Sequence, residues 1–168
     1  MTELDLCEAI KAEIENATAS LLLEYEEFDE QGAFKRKSPQ VVSGYLPPKR
    51  SNEVPDFPHV IVRPSNGVTG DNGYTTCTVK LLIGCFSEEY DGYKNCFLVL
   101  DELKRAFMEK GTLASKYRFE LPFSWEMFDD QPYPEWVIEV ESRWSVYTPQ
   151  EIPDKGVTGY DIHNEEDI

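Results

Sequence analysis

The clearest pattern along the chain is an alternation from Glu135 to Tyr147. Trp136, Ile138, Val140, Trp144 and Val146 fall on one side of an extended chain, and Glu139, Glu141 and Arg143 on the other. A period of two is that of a half-buried strand. Thr75–Phe86 repeats it, with Cys77, Val79, Leu81, Ile83 and Cys85 alternating with Thr76, Thr78 and Lys80. Two other segments carry the helical period. Leu4, Cys7, Ile10, Ile14, Ala17, Leu21 and Tyr25 recur at three- and four-residue steps with Glu8, Lys11, Glu13, Glu15 and Glu24 between them. This predicts a helix over 3–27, with Thr2 as N-cap and Asp5 in the first turn. Tyr93, Cys96, Phe97, Leu100, Leu103, Lys104 and Phe107 form the stripe of a second helix, opened by Asp91 or Gly92 and stopped by Gly111.

Shorter signals fill the intervals. His59–Pro64 reads as a strand, and Tyr117–Phe123 as another. The nine residues SNGVTGDNG after Pro64 lack the Asp/Asn alternation and closing Glu of a calcium loop, so they are expected to form a hairpin connection. Residues 29–58 hold Gly32, Pro39, Gly44, Pro47, Pro48, Pro55 and Pro58, which predicts a long loop or arm with at most a short strand or hairpin around Val41–Leu46. The order predicts an α+β fold: a mainly antiparallel sheet of about four or five strands packed with two helices. It forms a single domain over 1–148, followed by an acidic, flexible C-terminal tail over 149–168.

Size and charge narrow the picture. A chain of 168 residues suits one domain with its own core. The formal charge of -16 comes from 16 basic and 32 acidic residues and is concentrated at the ends. Residues 1–30 carry ten acids against Lys11 alone, and residues 149–168 carry six against Lys155 alone. This balance argues against a stable complex with nucleic acid, which needs clustered Lys and Arg. There is no basic leader, and no apolar run approaches the roughly 20 residues that a bilayer requires, so a cytoplasmic protein without a membrane segment is expected. Cys7, Cys77, Cys85 and Cys96 form no C-x-x-C pair. Cys77 and Cys85, on one strand, would stand about 26 Å apart at roughly 3.3 Å per residue, too far to bridge. All four read as reduced core residues.

The catalytic inventory is thin. Only His59 and His163 are present, and the chain has no H-E-x-x-H, G-x-S-x-G or Gly-rich phosphate loop. No cofactor or metal set emerges. The Asn16-Ala17-Thr18 sequon falls on the first predicted helix. One arrangement keeps a chemical reading open: Glu126 with Asp129 or Asp130, beside Trp125, Tyr133 and Trp136, is the mixture used for glycoside hydrolysis. The other reading of that stretch is a rigid hairpin, with Phe119, Leu121 and Phe123 ending one strand, Trp125 and Phe128 packing a corner, and Asp129–Pro134 turning. Lys35, Arg36, Lys37, Lys49 and Arg50 either contact DNA or an acidic partner, or are loop charges that pair with the acidic helix. With Tyr45, Asp129, Asp130 and Tyr133 they make up the candidate interface.

The ordered segments FPHVIVRPSNG, TVKLLIGCFSEEYDGYKNCFLVLDELKRAF and FELPFSWEMFDDQPYPEWVIEVESRWSV, within about 57–148, resemble the tail terminator (tail completion) proteins of long-tailed bacteriophages and prophages of Gram-positive bacteria. The Asp91-Gly92-Tyr93 helix start, the Gln131-Pro132-Tyr133-Pro134 turn and the closing strand with Trp144 carry most of it. The resemblance implies a structural virion protein with no active site and no cofactor, assembled in the host cytoplasm and located in the virion tail. It implies a homo-oligomeric ring, commonly a hexamer, that caps the tail tube protein, ends tail polymerisation and offers a head–tail joining surface to the connector protein. DNA would pass through its lumen without specific binding, and acidic residues such as Glu24, Glu26 and Glu27 would repel it. The alternatives are another head–tail connector protein, the hydrolase using Glu126, and a generic oligomeric binding module.

Overall fold

The two alternating segments are partners. In a computed structural model that describes residues 3–48 and 55–147, strands Tyr74–Phe86 and Glu135–Tyr147 pair antiparallel along their whole length, from Tyr74 opposite Tyr147 to Phe86 opposite Glu135. Ten elements follow in order: α1 (Glu3–Thr18), β1 (Leu23–Phe28), β2 (Phe34–Lys37), β3 (Gln40–Ser43), β4 (His59–Thr69), β5 (Tyr74–Phe86), α2 (Tyr93–Lys110), β6 (Thr112–Leu113), β7 (Tyr117–Glu126) and β8 (Glu135–Tyr147). Six strands form one sheet in the order β3-β4-β5-β8-β7-β6, and β1 and β2 form a separate hairpin. The architecture is α+β with a mostly antiparallel sheet. Among the described residues it has six strands plus a two-stranded hairpin, more than the four or five expected.

Both helices cover one face of the sheet. Leu6, Cys7, Ile10 and Ile14 from α1, and Cys96, Val99, Leu100, Leu103 and Phe107 from α2, meet the inward residues of β5 and β8 in one buried cluster. Trp144 sits at its centre, 5.1 Å from the Phe107 ring and 5.2 Å from Phe119. Burying a side chain of this size stabilises the fold by about 1.5–3 kcal/mol. Its indole N–H is satisfied locally: Nε1 donates to Ser142 Oγ at 3.0 Å, and that hydroxyl donates to the Val79 carbonyl at 3.0 Å. Ser142, the polar residue that interrupts the inward apolar run of β8, thereby lets a tryptophan lie in the core without an orphaned donor.

The sequence expectations fail at four places. The first helix ends at Thr18 instead of 27, and Leu23–Phe28 becomes a strand. Thr18 Oγ1 turns back to the Ile14 carbonyl at 2.8 Å, and no basic residue occupies the last turn to offset the helix dipole against the acids that follow. Those acids find cations across the β1–β2 hairpin instead, which closes through Asp29: its Oδ1 accepts the amides of Gln31 and Ala33 at 2.9 Å, and Gly32 takes a φ of +79°. Residues 29–58 are thus partly strand. Besides β2, the short strand expected around Val41–Leu46 occurs at Gln40–Ser43 and runs parallel to β4.

The strand expected at His59–Pro64 continues to Thr69, because β5 offers it a full ladder beyond a bulge at Pro64–Asn66. The turn shrinks to Gly70–Gly73, a hairpin connection closed by the Gly70 amide on the Tyr74 carbonyl at 2.9 Å. Finally, Phe128 does not pack a corner: it is exposed, and so is Leu121. A bulge in β7 between Glu120 and Ser124 resets which side chains face inward. Thr2, His163 and the 149–168 tail lie outside the described residues.

Candidate interaction surfaces

The Asp91-Gly92-Tyr93 helix start, the Gln131–Pro134 turn and the start of β8 converge on one corner of the sheet. Trp136, at the start of β8, donates from Nε1 to the Ser87 carbonyl at 3.0 Å, at the end of β5. Ser87 donates its amide to the Pro134 carbonyl at 2.9 Å. Tyr133 reaches back from the β7–β8 turn, its hydroxyl donating to the Glu88 carbonyl at 2.7 Å. Gln131 stiffens the turn from within, donating to the Phe128 carbonyl and accepting the Val137 amide, both at 2.7 Å. Gly92, at the start of α2, lies so close to Trp136 that a Cβ there would stand 2.5 Å from the indole nitrogen.

From this corner a run of rings extends along the flank between α2 and β7. Tyr133 meets Trp136 at 6.1 Å, Trp136 meets Tyr93 at 6.2 Å, Tyr93 meets Phe97 at 6.3 Å, and Phe97 meets Trp125 edge-on at 5.1 Å. Tyr133 and Trp125 remain more than half exposed, at 56% and 52%. Leu121 and Phe128 add exposed apolar surface along the same strand and the turn after it. The backbone there is also open. β6 pairs with β7 only at Arg118 and Tyr117, so Glu120–Glu126 has no strand on its outer side among the described residues. Pro122, which lacks an N–H, and the bulge beside it blunt the edge against indiscriminate pairing. Sequence reading marks Tyr133 as an interface residue but misses Leu121 and Trp125, which it assigns to the strand end and the corner packing.

The other candidate interface residues are dispersed. Lys35 pairs with Glu27 at 2.5 Å, and its pKa is raised chiefly by that hydrogen bond. Arg36 lies 3.6 Å from Glu24, and Lys37 donates to the Pro55 carbonyl at 2.8 Å and sits over the Tyr25 ring. The basic run therefore does pair with acids of the N-terminal region, across a hairpin. Tyr45 is 72% exposed and carries the Arg63 guanidinium 3.8 Å from its ring centre. Asp129 and Asp130 are exposed at the turn after β7, and Lys49 and Arg50 lie outside the described residues.

The carboxylates that share a concavity with Glu126 are Glu139 and Glu141, in a hollow of about 320 Å³ that Ser124 and Trp125 complete. Asp129 and Asp130 are not among its lining residues. Glu126 stands opposite Glu139 in the β7–β8 register. Lys80 bonds Glu139 at 2.6 Å and lies 4.0 Å from Glu141. The hydrogen bond and charge of Glu139 hold the lysine in its charged form.

The cysteines are all free and buried. Burial, reinforced by Cys77, Glu8 and Glu3, pushes the Cys7 thiol up to about 11. A hydrogen bond with Cys96, then burial, raises Cys85. Among the described residues no group of three or more His, Cys, Asp or Glu side chains is placed to hold a metal ion, and no helix is long and apolar enough to cross a membrane. No protein-family model matches the chain, and no curated protein is significantly similar to it.

Proposed function

We propose that the protein is a structural virion-assembly subunit of the tail-terminator kind, which closes a phage tail tube as a ring of identical copies and presents a joining surface to the head connector. The observation that carries this reading is the β7 flank: an edge strand with no strand on its outer side over Glu120–Glu126 among the described residues, with exposed Leu121 and Trp125 and an aromatic run behind them. A surface of this kind suits a protein partner, since aromatic side chains bury large areas at little entropic cost. The other edge of the same sheet is β3. A contact joining two different edges is heterologous and closes into a ring when the rotation between copies allows it. The ordered segments of the resemblance support the reading further, because residues far apart in sequence, Gly92, Tyr133 and Trp136, buttress one corner of that flank.

The test is the mass in solution by light scattering across a concentration series, for the chain as it stands and for Trp125→Glu. The reading expects a closed oligomer that Trp125→Glu disperses while its circular dichroism is unchanged. A wild-type chain that stays monomeric at the highest concentration, alone and with tail tube protein, overturns it.

A second reading, glycan hydrolysis, draws on the hollow that sets Glu126 beside Glu139 and Glu141. Retaining chemistry would need one of these to act as an acid and another as a nucleophile roughly 5 Å away. Glycan-cleaving activity abolished by Glu126→Gln would establish it in place of the structural role.

A further inference from the structure

On a chain with a formal charge of -16, one described cleft gathers cations. It has a volume of about 590 Å³, lies on the sheet face opposite the helices, and is lined by Tyr74, Thr76, Lys116, Arg118, Arg143 and Ser145 together with Leu121 and Glu120, which stands opposite Arg143 in the β7–β8 register. Elsewhere most described cations are matched to acids, as Lys80 is to Glu139, Lys94 to Asp91, Arg105 to Glu102 and Lys110 to Glu13. Here the matching fails. Arg118 has Glu120 at 3.7 Å, but the same oxygen accepts the Ser145 hydroxyl at 2.7 Å. Lys116 lies only over the Tyr117 ring, at 5.7 Å, and Arg143 has no ion pair among the described residues. The cleft therefore holds three cations against one carboxylate, beside the half-exposed ring of Tyr74 and the exposed Leu121.

β8 ends at this cleft. Ser145 lines it, and Tyr147, the last residue of the strand, is paired with Tyr74. The chain beyond, residues 148–168, carries Glu151, Asp154, Asp161, Glu165, Glu166 and Asp167 against Lys155 alone, with Ile152 between the first two acids. Counted from Tyr147, Glu151 is four residues away and Asp154 seven, a reach of about 13 and 23 Å for an extended chain.

We propose that the cleft of Lys116, Arg118 and Arg143 is the docking site of the chain's own acidic C-terminal segment, with Glu151 and Asp154 placed on the cations and Ile152 against Tyr74 and Leu121. Charge complementarity selects an acidic peptide, and the position of Tyr147 selects the segment that is covalently at hand, at an effective concentration no separate peptide would match. The contact closes the sheet's open face at that end, and a partner with a more acidic surface displaces it. The inference stands apart from the tail-terminator reading, since it needs no oligomer.

The test uses the full chain labelled with nitrogen-15. In low salt the amides of Glu151–Asp154 show heteronuclear NOE values of ordered residues and shifts away from random coil. Raising the salt from about 0.05 to about 0.5 M, which shortens the screening length from about 14 to about 4 Å, returns them to random-coil positions together with shifts at Thr76 and Ser145. Arg118→Gln/Arg143→Gln produces the same release at low salt, and Arg143→Lys does not. Amides of Leu81 and Val140 report that the core is intact, and if the double variant fails to fold, the salt series on the unmodified chain decides. Tail amides already at random-coil positions in low salt overturn the proposal. So does a release that depends on protein concentration, which would place the segment on a neighbouring copy. Shifts at Thr76 and Ser145 on adding a DNA duplex of about 20 base pairs, with the tail amides unmoved, would assign the cleft to nucleic acid instead.

Discussion

Replacing Gly92 by alanine isolates the corner on which the fold turns. Gly92 has φ -56° and ψ -26°, a helical conformation that alanine adopts freely, so backbone strain plays no part. The added methyl would stand 2.5 Å from Trp136 Nε1, 2.6 Å from Ser87 Cβ and 3.0 Å from Ser87 Oγ. Neither neighbour is a flexible side-chain end. Trp136 is tied to the Ser87 carbonyl, and Ser87 to Pro134, so relieving the clash means breaking the indole hydrogen bond. Overpacking costs about 1–3 kcal/mol, and the lost hydrogen bond about 1 kcal/mol. Gly92 is the N-cap of α2, where alanine has no advantage over glycine, so no helix-propensity gain offsets this cost. The net is a loss of about 2–4 kcal/mol, or about 4–16 °C in Tm for a chain of this size.

Urea unfolding followed by tryptophan fluorescence measures it, and Trp136→Phe supplies the control. Phenylalanine is smaller and donates no hydrogen bond, so the cost of Gly92→Ala should fall by about 1 kcal/mol or more in that background. If Gly92→Ala is as stable as the parent or more so, the close approach of α2 to Trp136 is wrong. If its cost is the same with Trp136→Phe, the clash lies elsewhere.

Other consequences are open to measurement. Because the folded Cys7 thiol is raised to about 11 from an ordinary value of 9.0, its contribution to stability is complete below pH 9 and is lost as pH rises towards 11. Cys77, Cys85 and Tyr117 are raised in the same direction, so stability should fall steeply over that window, and Cys7→Ala should flatten the fall by about 2 kcal/mol. Because all four thiols are buried, they should resist Ellman's reagent at pH 8 in the folded chain and react together in urea. Lys110 pairs with the buried Glu13, joining α2 to α1, so Lys110→Ala leaves a buried carboxylate unpaired and should cost about 1–3 kcal/mol in urea unfolding. Glu13→Leu should cost less, because an apolar residue replaces the charge.

The strands and helix that are legible in the sequence are those whose pattern admits one period. β5 and β8 alternate over their full length, and the stripe of α2 ends at a glycine in position to cap it. The pattern of the first helix runs on too far because Leu21, Leu22 and Leu23 satisfy both periods, while Glu24, Glu26 and Glu27 imitate a solvated helix face. What decides for a strand is Arg36 and Lys35 across the hairpin, a pairing that no local window contains. Ser65–Thr69 carries turn residues yet extends β4, because the ladder offered by β5 outweighs local preference. The parallel pairing of β3 with β4 is likewise a long-range fact. At the candidate surface, the acids and prolines of the Asp129–Pro134 turn are legible. The bulge that leaves Leu121 exposed, and the register that sets Glu126 beside Glu139, are not, since both depend on where β7 meets β8.

The proposal of a ring-forming virion subunit meets its most direct test in negative-stain microscopy of the purified chain, alone and mixed with tail tube protein. The account predicts closed rings of one size, or a single cap at one end of each tube, with both lost in Trp125→Glu. Monomers that leave the tubes uncapped and still growing would contradict it.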